Sequence, residues 1–219
     1  MRFFQMVRVI VIPAVCACIL LAGCGTTSSS RFYTLTPVQP DTAGIRTTVP
    51  DAAVLLGVGP VTIPDYLDRP QIVTRSSQNE LLLSEFNRWA GSLQSDTARI
   101  LRENLDSLLA SDDVSVTSWR RGIPSVYRVS VDVSRFEVTA ETVVVLKAQW
   151  AVFAGDGANV LLVRDSDIRE EVRGGGVEQI VAAMGRALGS LSREIAQGVR
   201  GVKKAAPVKS SGKTGQGSL

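Results

Sequence analysis

The sequence predicts an α+β fold: a single domain, mainly an antiparallel sheet, with two amphipathic helices packed on one face as a two-layer sandwich. Three observations carry this. Apolar and polar residues alternate with a period of two through residues 127–172, interrupted by short turns, as in an antiparallel meander. Two other stretches, 89–108 and 177–199, place apolar residues at steps of three and four, the spacing of a helix with one buried side. Clusters of Pro, Gly and Ser separate these segments and keep the strands short.

The chain opens on Arg2 and Arg8, an apolar run over residues 9–20, and then Leu21-Ala22-Gly23-Cys24. Basic, apolar, small is the order of a secretory leader. A retained spanning helix needs about 20 apolar residues, whereas this core is shorter, contains Pro13 and ends in small residues. Leu-Ala-Gly-Cys is a lipobox. It predicts cleavage between Gly23 and Cys24, a diacylglycerol on the Cys24 thiol, and acylation of the new amine. Small residues suit a peptidase that grips extended backbone, and only the sulfur forms the thioether. One acyl chain anchors reversibly and two or more anchor stably, so the body after Cys24 is expected to be membrane-bound through its N-terminus. Asp after the cysteine favours inner-membrane retention in enteric bacteria; Gly25 stands there instead and leans toward export to the outer membrane.

Residues 24–30 read as a flexible tether. Residues 31–35 are a first extended piece, 37–50 a loop, and 53–61 an apolar, β-like run. Pro60, Pro64 and Pro70 forbid a helix and predict a stiff turn between two short strands, with Tyr66 and Leu67 at its apex. Residues 71–75 and 80–85 form a hairpin across 76–79. Trp89, Leu93, Thr97, Ile100, Leu101, Leu105 and Leu108 mark the buried side of the first helix, which Ser111-Asp112-Asp113 ends. A short strand follows at 114–119. Tyr127, Val129, Val131 and Val133 then alternate with polar residues, but Phe136 and Val138 continue on the opposite phase, which predicts a bulge at Ser134-Arg135. Strands at 144–152 and 160–172 flank Gly155-Asp156-Gly157, and Gly174–Gly176 leads into the second helix. No apolar period remains from Lys203, so the domain is expected to span 31–200 and residues 201–219 to form a disordered basic tail.

Composition excludes several chemistries. Cys16 and Cys18 leave with the leader and Cys24 is lipidated, so the body has no disulfide. The chain has 0 histidines, which withdraws the commonest general base, the usual metal ligand and the Ser-His and Cys-His pairs. Without the leader, 22 basic residues face 21 acidic ones, and residues 24–199 carry a net charge of −4; a nucleic-acid domain is far more basic. Gly174-Gly175-Gly176 lacks the following Lys-Ser/Thr of a phosphate loop, and Gly57-x-Gly59 runs into Pro60. Asp112-Asp113, Asp165-x-Asp167 and Glu170-Glu171 read as solvated edge charges beside arginines, and Asp65 and Asp68 as caps of the turn or partners of Arg69. No catalytic residue, metal site or cofactor is expected. The partner-contact candidates are Tyr66, Leu67 and Arg69, held on a Pro-stiffened and hence pre-organised turn, and Trp119, an aromatic beside Arg120-Arg121. Packing of that turn on its own sheet is the competing arrangement. The basic tail suits anionic head groups or solubility alone.

Taken together, the lipobox, the Tyr33-Thr34-Leu35 segment, Gly59-Pro60-Val61…Pro64-x-Tyr66-Leu67-x-Arg69-Pro70-x-Ile72-Val73-x-Arg75, Arg88-Trp89-Ala90…Leu93 and Leu101…Asn104-Leu105 resemble the PqiC/YmbA family. Its members are auxiliary lipoproteins of MCE-type (mammalian cell entry) lipid transport systems. The resemblance covers the body to about Val199 and does not include the basic tail. It implies a non-enzymatic outer-membrane lipoprotein facing the periplasm. Its partners would be a periplasm-spanning MCE protein and, through that, an inner-membrane permease. Only Cys24 carries over with a defined role. Two roles fit: an adapter that seats an MCE tunnel at the outer membrane, alone or as a homo-oligomeric ring, and a lipid carrier with an acyl-chain pocket between sheet and helices.

Overall fold

The computed structural model describes residues 29–38, 54–120, 125–155 and 157–205. The leader, the lipobox with Cys24, most of the tether, Arg121, Asp156 and the tail from residue 206 lie outside the described residues. In chain order the elements are β1 (Arg31–Tyr33), β2 (Val54–Thr62), β3 (Gln71–Arg75), β4 (Leu81–Trp89), α1 (Leu93–Leu108), a 3₁₀ turn (Ala110–Asp112), β5 (Val114–Ser118), β6 (Tyr127–Thr139), β7 (Val143–Ala154), β8 (Val160–Glu171) and α2 (Val177–Ala205).

The expected meander forms. Strands β6, β7 and β8 pair antiparallel along long ladders, and β3 with β4 makes the hairpin. The eight-stranded sheet is nevertheless mixed. Strand β2 lies parallel between β5 and β6, β3 meets β6 in parallel at Thr74 and Arg75, and β1 adds to β4 in parallel. Alternation along a strand reports which face each side chain takes, not the direction of a non-adjacent partner. Helix α1 supplies the crossover that returns β5 parallel to β2.

Strand β6 is the spine of the sheet. On one edge its first half borders β2 as far as Asp132, and its end borders β3 from Val138. The register against β7 shifts between Val133 and Arg135, at the phase switch seen in the sequence. The bulge returns Phe136 and Val138 to the inner face shared by Val129, Val131 and Val133, all buried. Pro60 sits inside β2 rather than in the turn, after a cis Gly59–Pro60 peptide. The β2–β6 ladder is interrupted there, between Val58 and Val61, which suits a residue without an N–H.

Helix α1 starts at Leu93, not at Trp89. Trp89 ends β4, and its N–H donates to the Pro70 carbonyl at 2.7 Å. The Ser92 side chain caps the helix, accepting from the Ser95 N–H at 3.2 Å. Asp68 braces this cap: it accepts from the Ser92 hydroxyl at 2.9 Å and the Gln94 N–H at 3.3 Å. Helix α2 runs past the expected boundary at residue 200, to Ala205. The reason is electrostatic. Arg200 donates to Asp112 at 2.8 Å and to the Leu108 carbonyl at 2.6 Å, and Lys203 reaches the Asp112 carbonyl. These cations also sit at the end of a helix that favours positive charge.

The helices pack on each other, α1 also on β2 and β5, and α2 on β6, β7 and β8. The layer between them is filled by Leu56, Phe136, Leu146, Trp150, Ile100, Leu101, Leu105, Leu188, Leu191 and Ile195, all buried. No helix among the described residues is long and apolar enough to cross a membrane. Truncating the fully buried Leu188 to Ala is expected to lower the unfolding free energy by about 2–5 kcal/mol through lost burial and a cavity. Ser92→Ala is expected to cost about 1 kcal/mol. Urea unfolding of the body, followed by far-UV circular dichroism, measures both.

Candidate functional site

The proline-rich turn, the densest feature of the sequence, is organised by a carboxylate that the sequence did not single out. Between the end of the β2 border and the start of the β3 border on β6 stands Glu137, with 0% of its side chain exposed. It points to the outer face of the sheet, opposite Val145, and is covered from three directions. Arg75 Nε of β3 donates to it at 2.8 Å, Arg135 Nε across the bulge at 2.9 Å, and the Tyr66 hydroxyl from the turn at 3.0 Å. The Phe136 N–H adds a fourth donor at 3.2 Å. Burial alone would raise the Glu137 pKa, but the hydrogen bonds from Arg75, Arg135 and Tyr66 outweigh it and hold the carboxyl below its ordinary 4.5. Burial, and then the Glu137 charge, push the Tyr66 phenol above its ordinary 10.0.

This arrangement corrects part of the contact-surface expectation. Leu67 is 1% exposed and belongs to the core, because the turn folds its apex onto the sheet. Its N–H closes the turn onto the Pro64 carbonyl at 2.9 Å. Tyr66 is half-buried and holds Glu137 with its polar tip. Arg69 is also half-buried, and its Nε is enclosed without a hydrogen-bond partner; Asp68 serves the helix cap instead. Trp119 is half-buried rather than freely exposed. It packs against Gly57, where a Cβ would come within 3.1 Å of its Cδ1. The Arg128 guanidinium stands 4.8 Å from the Trp119 ring centre and 4.4 Å from that of Phe153, a cation between two aromatic faces. The structure does not bring Trp119 and the turn to one cluster.

A second device fixes the N-terminal end. After β1 the chain crosses both helices as a strap. Asp96 of α1 accepts from the Thr34 hydroxyl at 3.0 Å and the Leu35 N–H at 2.6 Å, and Arg99 donates to the Leu35 carbonyl at 2.8 Å. Asn104 accepts from the Val38 N–H at 3.1 Å and donates to Ser192 of α2 at 3.3 Å. Helix α2 makes room with glycine: a Cβ at Gly185 would lie 3.0 Å from the Thr36 carbonyl oxygen, and one at Gly189 would collide with Val38.

The paired carboxylates weighed in the sequence take up cations, hydroxyls and an amide. Asp167 pairs with Lys147 at 2.7 Å, Asp165 accepts from Gln149 at 3.1 Å, and Glu170 accepts from Ser190 at 3.1 Å with Arg186 at 3.6 Å. Ser166 accepts from Trp150 Nε1 at 3.0 Å and donates to Glu194, tying α2 to the sheet. Among the described residues no group of three or more Asp, Glu, Cys or His gathers where it would hold a metal.

A mixed sheet carrying two helices on one face defines a class of α+β domain already seen in solved structures. A protein described only as uncharacterized shares it with a TM-score of 0.66 and 22% identity, over 78% of this chain and 99% of that one. Protein XCC0632 from Xanthomonas campestris, of DUF330, shares it at 0.61 and 18%, over 80% and 98%. Residues 33–196 match the model of the ABC-type transport auxiliary lipoprotein component, and the chain belongs to that family. The intermembrane transport lipoprotein PqiC of Escherichia coli (strain K12) is 31% identical over 93 residues, 42% of this chain and 49% of that protein, as is its counterpart from Shigella flexneri. The chain spans about half the length of the curated relatives it matches.

The Glu137 node yields a test with a definite sign. A folded pKa below the unfolded value gives stability that is complete above about pH 4.5 and is lost as the pH falls from there through the folded value. Glu137→Gln removes the charge and leaves Arg75 and Arg135 facing a neutral amide, at an expected cost of about 3–5 kcal/mol at neutral pH. Urea unfolding of both proteins at a series of acidic pH values should show a steep loss in the parent and a shallower one in the variant.

Proposed function

We propose that this chain is the lipid-anchored, periplasm-facing accessory subunit of an MCE-type intermembrane phospholipid transport system, held at the outer membrane through Cys24 and supporting its integrity. The family and the intermembrane transport function in the relatives' name support the transport role; the lipobox at Leu21–Cys24 supports the anchor. The role is non-enzymatic: the subunit seats a periplasm-spanning MCE protein and, through it, communicates with an inner-membrane permease. It acts alone or as a homo-oligomer. Arg69, with its unpartnered Nε, the outer edge of Tyr66, and Trp119 are the contact points proposed for that partner.

The observation that favours an adapter over a free lipid carrier is the filled layer between sheet and helices. Leu56, Phe136 and Leu146 are 0% exposed there. A groove of about 570 Å³ beside α2 is open, and Arg164, Asp165 and Glu194 line it along with Trp150 and Leu162. Acyl chains call for a mostly apolar, enclosed site.

Two measurements check this reading. Intact mass of the mature protein should show acylated Cys24, and Cys24→Ala should move the protein from the membrane to the soluble fraction. Purification of the full lipoprotein from solubilised envelopes, with mass spectrometry of proteins and lipids, should recover an MCE protein in stoichiometric amount without bound phospholipid. Phospholipid retained by the isolated body with no MCE partner would establish the carrier instead.

A further inference from the structure

The sheet ends in three terminal strands, β1 (beside β4), β5 and β8, and among the described residues two of these edges carry exposed apolar side chains. At one, Val160, Leu161 and Val163 of β8 are exposed. At the other, Phe32 of β1 is 65% exposed, and Leu82, Leu83 and Phe86 of β4 are 52%, 40% and 49% exposed. The helices make their contacts with β2 and β5–β8, so the β1–β4–β3 wing extends beyond them. Among the described residues β1 pairs only with residues 87–89 of β4, and no strand borders β4 on that side from Leu81 to Phe86. In that register Phe32 lies opposite Arg88, and Phe86 stands just before the paired residues of β4. Leu82 and Leu83 point to opposite faces, so apolar surface wraps around the edge.

Chain length distinguishes the two edges. Six residues lie between Cys24 and Arg31, and the seven steps reach at most about 25 Å when fully extended. Strand β8 stands five places from β1 across the sheet (β1-β4-β3-β6-β7-β8), roughly 24 Å farther at the usual strand spacing. The wing is therefore the part of the sheet that an anchor at Cys24 keeps closest to the bilayer. Charge does not drive the contact: exposed Arg31 and half-buried Arg88 are offset on the same wing by exposed Glu80 and Glu85. What remains is bulky apolar surface, which in water is costly to leave bare and at a membrane is favourable to bury.

From this geometry we infer that the edge formed by Phe32, Leu82, Leu83 and Phe86 docks into the lipid surface that holds the Cys24 anchor, as a second membrane contact that fixes the body's orientation. The inference rests on the lipoprotein reading above. It makes the tether a short strut between two membrane contacts, leaving the β8 edge and the charged outer face of the sheet toward water.

The cysteine count makes a direct test available. Once the leader is removed and Cys24 is acylated, an introduced cysteine is the only free thiol. Leu82→Cys, Phe86→Cys and, as control, Leu161→Cys are spin-labelled in the full acylated protein bound to phosphatidylethanolamine/phosphatidylglycerol vesicles. Collision with oxygen is compared with collision with a water-soluble nickel chelate. Labels at 82 and 86 should be several-fold more accessible to oxygen than to nickel, the label at 161 the reverse, and high salt should change neither. If all three labels report water while the acylated protein stays on the vesicles, the docking proposal fails and the anchor stands. Spin–spin broadening at 82 and 86, with both reagents excluded, would assign the edge to a second copy and also overturn the proposal. An intact mass without acyl groups on Cys24 would remove the anchor itself, and the proposal with it.

Discussion

The connection between the two halves of the sheet depends on one buried carboxylate. Strand β6 has to serve two neighbours on the same edge, β2 for its first half and β3 at its end. The chain between those neighbours must cross the gap, and the bulge at Val133–Arg135 opens it. Left to itself the gap would expose unpaired backbone and admit water beside the core. Glu137 closes it by drawing in a donor from each piece: Tyr66 from the turn, Arg75 from β3 and Arg135 from the bulge. A buried charge is tolerated only when it is fully hydrogen-bonded, and here the Tyr66 hydroxyl ties the turn to that requirement. Leu67 follows Tyr66 into the core, and Asp68, two residues on, reaches the cap of α1. The first helix is thus positioned by the same turn that the carboxylate holds.

The residues that carry the family likeness owe it largely to this frame. Tyr66 and Arg75 serve Glu137, Trp89 is hydrogen-bonded to Pro70, and Asn104 ties the strap to both helices. The strap has a mechanical consequence. Any pull arriving along the tether enters β1 and then meets Leu35, buried and held by Asp96 and Arg99, before it can reach the rest of the chain. Beyond the three-residue strand β1, such a pull is resisted by α1 at Leu35 and, through Asn104 and Ser192, by both helices at Val38.

How much of this was legible follows from what local sequence encodes. The bulge was, because a phase switch between Val133 and Phe136 has no other simple cause. The meander, the hairpin and both helices were, because their periods are long enough to count. The start of α1 was not: Trp89 and Leu93 are four apart, which mimics a helix, and only the bond to the Pro70 carbonyl and the cap at Ser92 show otherwise. The parallel pairings of β2, β3 and β1 are set by crossovers that no window of alternation contains. Lys203 read as tail because its partner, Asp112, lies far away in sequence. Tyr66 and Leu67 were found as a special turn, yet which way its apex faces was decided by Glu137, a lone acid in an apolar run. A glutamate between Phe136 and Val138, just after a bulge, was the available signal.

The distribution of surface types then limits how such a body can be used. Over β2 and β5–β8 its inner face is covered by two helices, so the surface left to the sheet is its outer face, its edges and the β1–β4–β3 wing. Over β6–β8 the outer face is a strip of Asp132, Ser134, Lys147, Gln149, Asp165 and Asp167, several of them already paired, which suits a wet and reversible contact more than a lipid one. The edges are the opposite: apolar and with open backbone, surfaces that soluble monomers usually blunt with charge or proline. Two apolar edges flanking a charged strip sort the surface into two kinds, one suited to burial against apolar material and one to a wet polar contact. A freely diffusing carrier would gain nothing from such edges and would risk aggregation through them. On the proposal that Cys24 anchors the body, a short tether removes that risk by settling which edge meets lipid first.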